Sequence, residues 1–258
     1  MKILVCVKQV PDTDAPIGLD SENAWMKVDP SSSFRMNRFD ECAVEEAVRI
    51  QESLKDVSID VLSVGPESFA VTIKRALAVG GDRGIHLQTA DGGYLAPRVI
   101  AGWIASVARE RSYDLILTGV MSEDAMHGQV GPLVAELLSL PCATSVVLEK
   151  LDQAQGTVYV EREIEGGMRD TLEIRLPAVL TIQTGINEPR YPALPNILKA
   201  KKKSLEVIDA ATLPKVDPLI EVTRASFPQK ARNAQFLEGT QEEKARQLIE
   251  ILKRKALI

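Results

Sequence analysis

The chain is poor in the residue types that build most catalytic and metal sites. Among its 258 residues are two histidines, His86 and His127, and three cysteines, Cys6, Cys42 and Cys142. The cysteines lie far apart with no Cys-x-x-Cys pair, so neither metal-ligand spacing nor a disulfide framework is legible. Cys6 falls in an apolar strand and Cys42 near the start of a helix, where thiols pack as small hydrophobes. A metal cluster or a Ser-His-Asp site has few parts to use, and nothing in the chain supplies a proton-transfer pair or a nucleophile. No apolar run approaches the ~20 residues that span a bilayer. MKILVCVKQV reads as a strand, not a signal peptide, since its apolar stretch is short and no small-residue cleavage site follows. The expectation is a cytoplasmic protein, bacterial or archaeal, that is not embedded in a membrane. A net charge of −5 argues against a nucleic-acid partner, because neutralising phosphates needs surplus Lys and Arg.

What is present is a 45% hydrophobic content, enough to fill the core of one large domain. Strand-like and helix-like segments alternate. Lys2–Val7, Ser58–Val64, Arg83–Leu87 and Tyr113–Thr118 are apolar runs of strand length. Between and after them come helical patterns: Phe39–Leu54 with Ala43, Ala47, Ile50 and Leu54 on one face, a helix with Ala70, Ile73 and Leu77 on one face, then Leu95–Arg109 and Gly128–Leu140. Gly65-Pro66, Gly80-Gly81, Gly119 and Pro141 punctuate them. This order predicts an α/β fold, a parallel sheet with helices on both faces. Ligands in such sheets bind beyond the carboxyl ends of the strands, so the loops after Val7, Val64 and Thr118 are where a site is expected.

After Pro141, Thr144–Leu151, Thr157–Glu163, Thr171–Leu176 and Ala178–Thr184 predict an antiparallel extension. Pro189, Pro192 and Pro195 then hold an extended segment that ends in the basic cluster Lys199–Lys203. Residues 204–238 show little periodicity. A final helix starts at Thr240, whose spacing to Glu243 fits a capping box, and Ala245, Leu248, Ile249, Leu252 and Ala256 form its apolar face. Such a helix cannot bury that face alone. The organisation expected is an α/β domain over 1–186, a loop over 187–203, and over 204–258 an extended arm with a helix that docks, preferably on another subunit.

The loop Gly119–Gly131 lies between a buried strand and a helix. The helix amino terminus offers N–H groups and partial positive charge that suit a phosphate. Gly128 and Gly131 would admit close approach of a ligand, and Ser122, His127 and Gln129 can add side-chain hydrogen bonds. The same features describe an ordinary polar loop with capping residues, and neither the GxGxxG nor the Walker pattern is present. Asn37-Arg38-Phe39-Asp40 precedes the first helix, with Asp40 expected as its N-cap.

MKILVCVKQVPDT, RMNRFDECAVEEAVRI and RALAVGGDRGIHL resemble successive blocks of electron-transfer flavoprotein β subunits, and NEPRYPALPNILKAKKK (Asn187–Lys203) closely resembles that family's signature. The resemblance runs over roughly residues 1–207. It implies a flavodoxin-like or adenine-nucleotide-hydrolase-like fold and an obligate heterodimer with an α subunit that holds most of an FAD. It implies an electron carrier rather than a self-contained enzyme. Electrons would come from acyl-CoA or related dehydrogenases of fatty-acid oxidation and pass to a membrane quinone reductase or similar acceptor. Carried over by position, the site of a structural AMP comprises Cys6, Asn37, Arg38, Phe39, Asp40, Val64, Gly119, Ser122, Asp124, His127, Gly128, Gln129, Val130 and Gly131. Pro189, Tyr191, Leu194, Pro195, Ile197 and Lys199 fall in the loop that docks on dehydrogenases, with Leu194 as its anchor.

The chain departs from the family pattern in places. Arg38 stands where the family usually has proline, Thr13 where a flavin-facing tyrosine is common, and the usual aspartates are reduced to Glu123-Asp124. Gln129-Val-Gly-Pro132 and Lys8–Thr13 look more like lineages that split electron pairs with a second FAD in the AMP position. AMP and a second FAD therefore both stay open. A stand-alone adenine-nucleotide hydrolase or stress-type module is the alternative from another class.

Overall fold

Ile3, Val5, Leu4 and Cys6 are all buried because the strand that carries them becomes the middle of a sheet covered on both sides. The computed structural model describes residues 1–20, 25–29, 31–90, 93–227 and 234–258. After β1 (Lys2–Cys6) come four short strands not legible as a pattern in the sequence. β2 (Gln9–Pro11), β3 (Ile17–Asp20), β4 (Trp25–Val28) and β5 (Phe34–Met36) form two antiparallel pairs, β2 with β5 and β3 with β4. The alternation then runs as expected: α1 (Arg38–Ser53), β6 (Ser58–Gly65), α2 (Ala70–Val79), β7 (Arg83–Gln88), α3 (Pro97–Arg111), β8 (Leu115–Gly119) and α4 (Val130–Leu138). β1 pairs in parallel with β6 on one side and β8 on the other, and β7 lies outside β6. Side chains alternate across this sheet. Ile3, Val5, Ile59 and Leu117 pack with Ala43, Ala47 and Ile73 of α1 and α2, whereas Leu4, Leu62 and Ile116 pack with Ala101, Ile104 and Val134 of α3 and α4.

β9 (Cys142–Asp152), β10 (Thr157–Glu163) and β11 (Arg169–Arg175) form the antiparallel extension. The next strand corrects the expectation. β12 (Ala178–Ile182) is parallel to both its neighbours and sits between β8 and β9. All five of its residues are buried, the mark of a strand covered on both faces. The segment expected to be extended to Lys203 contains a helix, α5 (Leu194–Lys202). Pro195 occupies its first turn, where a missing N–H leaves no intrahelical bond unmade. β13 (Leu205–Asp209) follows and pairs in parallel with β7, closing a nine-stranded order β11-β10-β9-β12-β8-β1-β6-β7-β13.

The compact unit therefore runs from Met1 to Ala225, past the boundary expected at 186. Residues after β13 lie on the domain itself: the Trp103 indole donates to the Pro214 carbonyl (3.2 Å), and Val216 fills the space left by Gly102. Ser226–Ile258 forms a second unit. Its helix α6 (Gln241–Arg254) starts with the capping box, the Glu243 N–H donating to Thr240 Oγ1 and the Thr240 N–H to Glu243 Oε2 (2.8 Å). Leu248 and Ile249 on α6 are exposed. Among the described residues no helix is long and apolar enough to cross a membrane.

Candidate functional site

From β1 the chain steps outward to β6 and β7, then crosses back to β8 on the opposite side of β1. Neighbouring connections diverge at that point and leave a crevice at the carboxyl ends of the strands. A cavity of about 370 Å³ lies there, within the size range of small-molecule sites. Cys6, Val64 and Gly119 reach it from the ends of β1, β6 and β8, and Asn37 and Asp40 from the start of α1. Ser122, Asp124, His127, Gly128, Gln129 and Val130 line it from the loop into α4.

Arg38, Phe39 and Gly131 do not line the cavity. The Arg38 side chain is exposed, but its backbone N–H donates to Glu123 Oε2 at 3.0 Å. A proline at this position would have no N–H to give to this bond. A Cβ on Gly131 would lie 2.5 Å from Thr181 Cγ2 and 2.7 Å from Thr118 Oγ1, so this glycine admits α4 to the sheet rather than a ligand to the loop.

Asp40 does not cap α1. Asn37 occupies the N-cap position, and its side chain turns to the loop instead: Nδ2 donates to the Met121 carbonyl (2.8 Å) and Oδ1 accepts from the Glu123 N–H (3.1 Å). Asp40 lies three residues further on and accepts from the Lys8 N–H through Oδ2 (2.7 Å) and from the Gly119 N–H through Oδ1 (3.0 Å). One carboxylate thus ties the end of β1 to the end of β8. A Cβ on Gly119 would stand 2.3 Å from Asp40 Oδ1, so only glycine admits the bracket. Burial pushes the Asp40 carboxyl up to about 7, against the two N–H donors and the Lys8 charge. Burial, and then the charge of Asp40, raise the Cys6 thiol far above its ordinary range, which makes Cys6 a packing group rather than a nucleophile.

Lys8, which the sequence reading passed over, reaches Asp124 (2.7 Å) and the Ser122 hydroxyl (3.3 Å) from the residues just beyond β1. Its signal was its place: a cation in the loop after Val7, one of the loops expected to form a site. Trp25 and Tyr94 were missed as well. Their rings stand 4.8 Å apart, and the Tyr94 hydroxyl is 3.5 Å from His127 Nε2. In a chain with two tryptophans, one placed in a polar stretch ahead of a helix was the available signal. Leu62, Leu95 and Ile100 complete an apolar wall.

The amino end of α4, where no described side chain caps the helix, favours an anion, while the charge of Lys8 is met by Asp124. The aromatic and aliphatic wall suits a planar ring. Among the described residues no cluster of His, Cys, Asp and Glu could hold a metal ion. His86 is buried and bonds through Nε2 to the Gly65 carbonyl (2.9 Å). Tyr191 and Leu194 are 89% and 68% exposed and lie apart from the cavity lining, as do Pro189, Pro195, Ile197 and Lys199. Ile197 is half-buried against the core, and Pro195 and Lys199 are exposed.

A mostly parallel sheet with helices on both faces and a ligand-sized cavity at its switch point defines the class: an α/β protein with its site at the carboxyl edge. The family described as "Electron transfer flavoprotein domain" matches residues 26–213. The "Electron transfer flavoprotein subunit beta" of Bos taurus is 40% identical over 215 residues, 83% of each chain. The mitochondrial subunit beta of Arabidopsis thaliana is 36% identical over 99% of each chain, and that of Bacillus subtilis 31% over 100%. The chain belongs to the electron transfer flavoprotein family, among its β subunits.

Proposed function

We propose that this chain works as one half of a heterodimer with an electron-transfer flavoprotein α subunit, in the cytoplasm, as an electron carrier. It accepts reducing equivalents from acyl-CoA or related dehydrogenases and delivers them to a membrane quinone reductase or a similar acceptor. FAD, held mostly by the α subunit, supplies the chemistry of taking up and releasing electrons. The observation that carries the reading is the cavity at the switch point in a chain of this family. Its residues suit AMP: the α4 amino end suits a phosphate, Ser122 and Gln129 offer side-chain hydrogen bonds, and Tyr94, Leu62 and Ile100 suit a base. The apolar face of α6, with Leu248 and Ile249 exposed, docks on the α subunit. Tyr191 and Leu194 meet the dehydrogenase.

A second reading, a redox-active FAD in the same cavity, is favoured by the likeness of Gln129-Val-Gly-Pro132 to electron-splitting lineages. Extraction of nucleotides from the co-purified heterodimer tests both. One FAD and one AMP per heterodimer are expected; two FAD and no AMP establish the second reading. A stable monomer that turns over ATP without an α subunit overturns both in favour of a stand-alone nucleotide hydrolase.

A further inference from the structure

The segment that carries Tyr191 and Leu194 is fastened to α1 from inside the fold. Asn187 Nδ2 donates to the Cys42 carbonyl (2.9 Å) and to Glu46 Oε2 (2.6 Å). The Arg190 backbone N–H donates to Glu45 Oε2 at 3.1 Å. Its guanidinium then forks onto two carboxylates: Nε and Nη2 each reach Glu45 at 2.9 Å, while Nη1 and Nη2 reach Glu52 at 2.5 and 3.0 Å. The Glu45 side chain is 4% exposed. A carboxylate in such a place is stable only if it is paired and hydrogen-bonded, and Arg190 supplies its shortest ion pair, with Arg49 Nε at 3.6 Å as the second.

Behind this point α5 is moored a second time. Lys74 Nζ donates to the Lys201 carbonyl and Lys203 Nζ to the Gly81 carbonyl, both at 2.8 Å, and Ala200 is buried with Ile197 packed beside it. Between the two moorings, Tyr191, Leu194 and Leu198 are exposed at spacings of three and four. Lys199, Lys201 and Lys202 are exposed on the same helix.

We propose that Arg190 and Asn187, seated on Glu45, Glu46 and Glu52, are positioning residues that hold the Tyr191–Leu194–Leu198 face preformed for an apolar, acid-rimmed pocket on a partner protein. This rests on the docking role assigned above. A segment already fixed loses little conformational freedom on binding, so the positioning residues act on association rather than on the contact itself.

Hydrogen exchange on the full chain, purified with its α subunit, tests the fastening. In the wild type the Arg190 amide should be protected although the neighbouring Glu188 and Tyr191 are exposed. Arg190→Lys keeps the charge and loses the fork. It should speed exchange of the Arg190 amide by roughly 10-fold or more, leave the amides of β1, β6 and β8 unchanged, and slow association with an acyl-CoA dehydrogenase. An Arg190 amide that exchanges freely in the wild type, or a variant that exchanges like the wild type, overturns the fastening. A loosened Arg190 amide with an unchanged association rate overturns the positioning role, whereas association that Leu194→Ala also leaves unchanged overturns the docking reading itself.

Discussion

Asp40 holds two strands with one carboxylate, and its titration gives direct access to the cavity. Its folded carboxyl is raised to about 7 by burial, above the ordinary value of 3.8. The stability it contributes is therefore complete below pH ~3.8 and is lost as pH rises through about 7. Asn at this position offers one oxygen in place of two, so one of the two strand N–H groups faces an amide NH₂. Asp40→Asn should cost about 1–3 kcal/mol, and the cost should be larger at pH 5 than at pH 8, as read from urea midpoints. Glu149 on β9 has the same sign. Burial, reinforced by the neighbouring Glu46, lifts it to about 8 from 4.5. Glu149→Gln should thus gain on the wild type progressively from pH 5 to pH 9 in the same measurement. These two acids show where reading a sequence stops. That Asn37, Asp40, Ser122 and Gln129 line the cavity was legible because they stand at the ends of predicted strands and helices. The bracket between Lys8 and Gly119 joins residues far apart in the chain and so leaves no local pattern. For the same reason Asp40 read as a helix cap.

Elements explain which substitutions separate contact from stability. Leu194 is exposed on α5, whose inner side is formed by Ile197 and Ala200. Leu194→Ala should leave unfolding free energy within about 0.5 kcal/mol of the wild type, while the rate of electron transfer from an acyl-CoA dehydrogenase falls clearly. Parallel drops in both would make Leu194 a packing residue. The helices α1 to α4 were readable because their apolar period of 3.6 matches their burial, and β1, β6, β7 and β8 because they are strand-length runs buried on both faces. β12 misled because a wholly buried strand has no preferred direction until its neighbours are known. α5 hid behind three prolines, and only the position of Pro195 within the first turn reconciles it with a helix. β13 alternates weakly, since an edge strand has one neighbour.

On the scale of the whole molecule, the cavity joins β1, β6, β8, α1 and α4 through their ends. A ligand bound there touches most of the sheet's core connections and should act on global unfolding. AMP at 100 times its dissociation constant should raise unfolding free energy by about 2.7 kcal/mol, seen as a higher thermal midpoint. A midpoint indifferent to AMP would leave the cavity without the ligand assigned to it.

The central place of β1 carries a consequence in time. Lys2–Cys6 pairs with Ser58–Gly65 and with Leu115–Gly119, so its two neighbours are synthesised long after it. At about 5–20 residues per second the first neighbour follows only after roughly 3–11 s, and the second after roughly twice that. Throughout that interval an uncharged run, Ile-Leu-Val-Cys-Val, emerges beside the ribosome with no sheet to enter. A strand buried on both faces in the finished protein is thus left without shelter for seconds while it is being made.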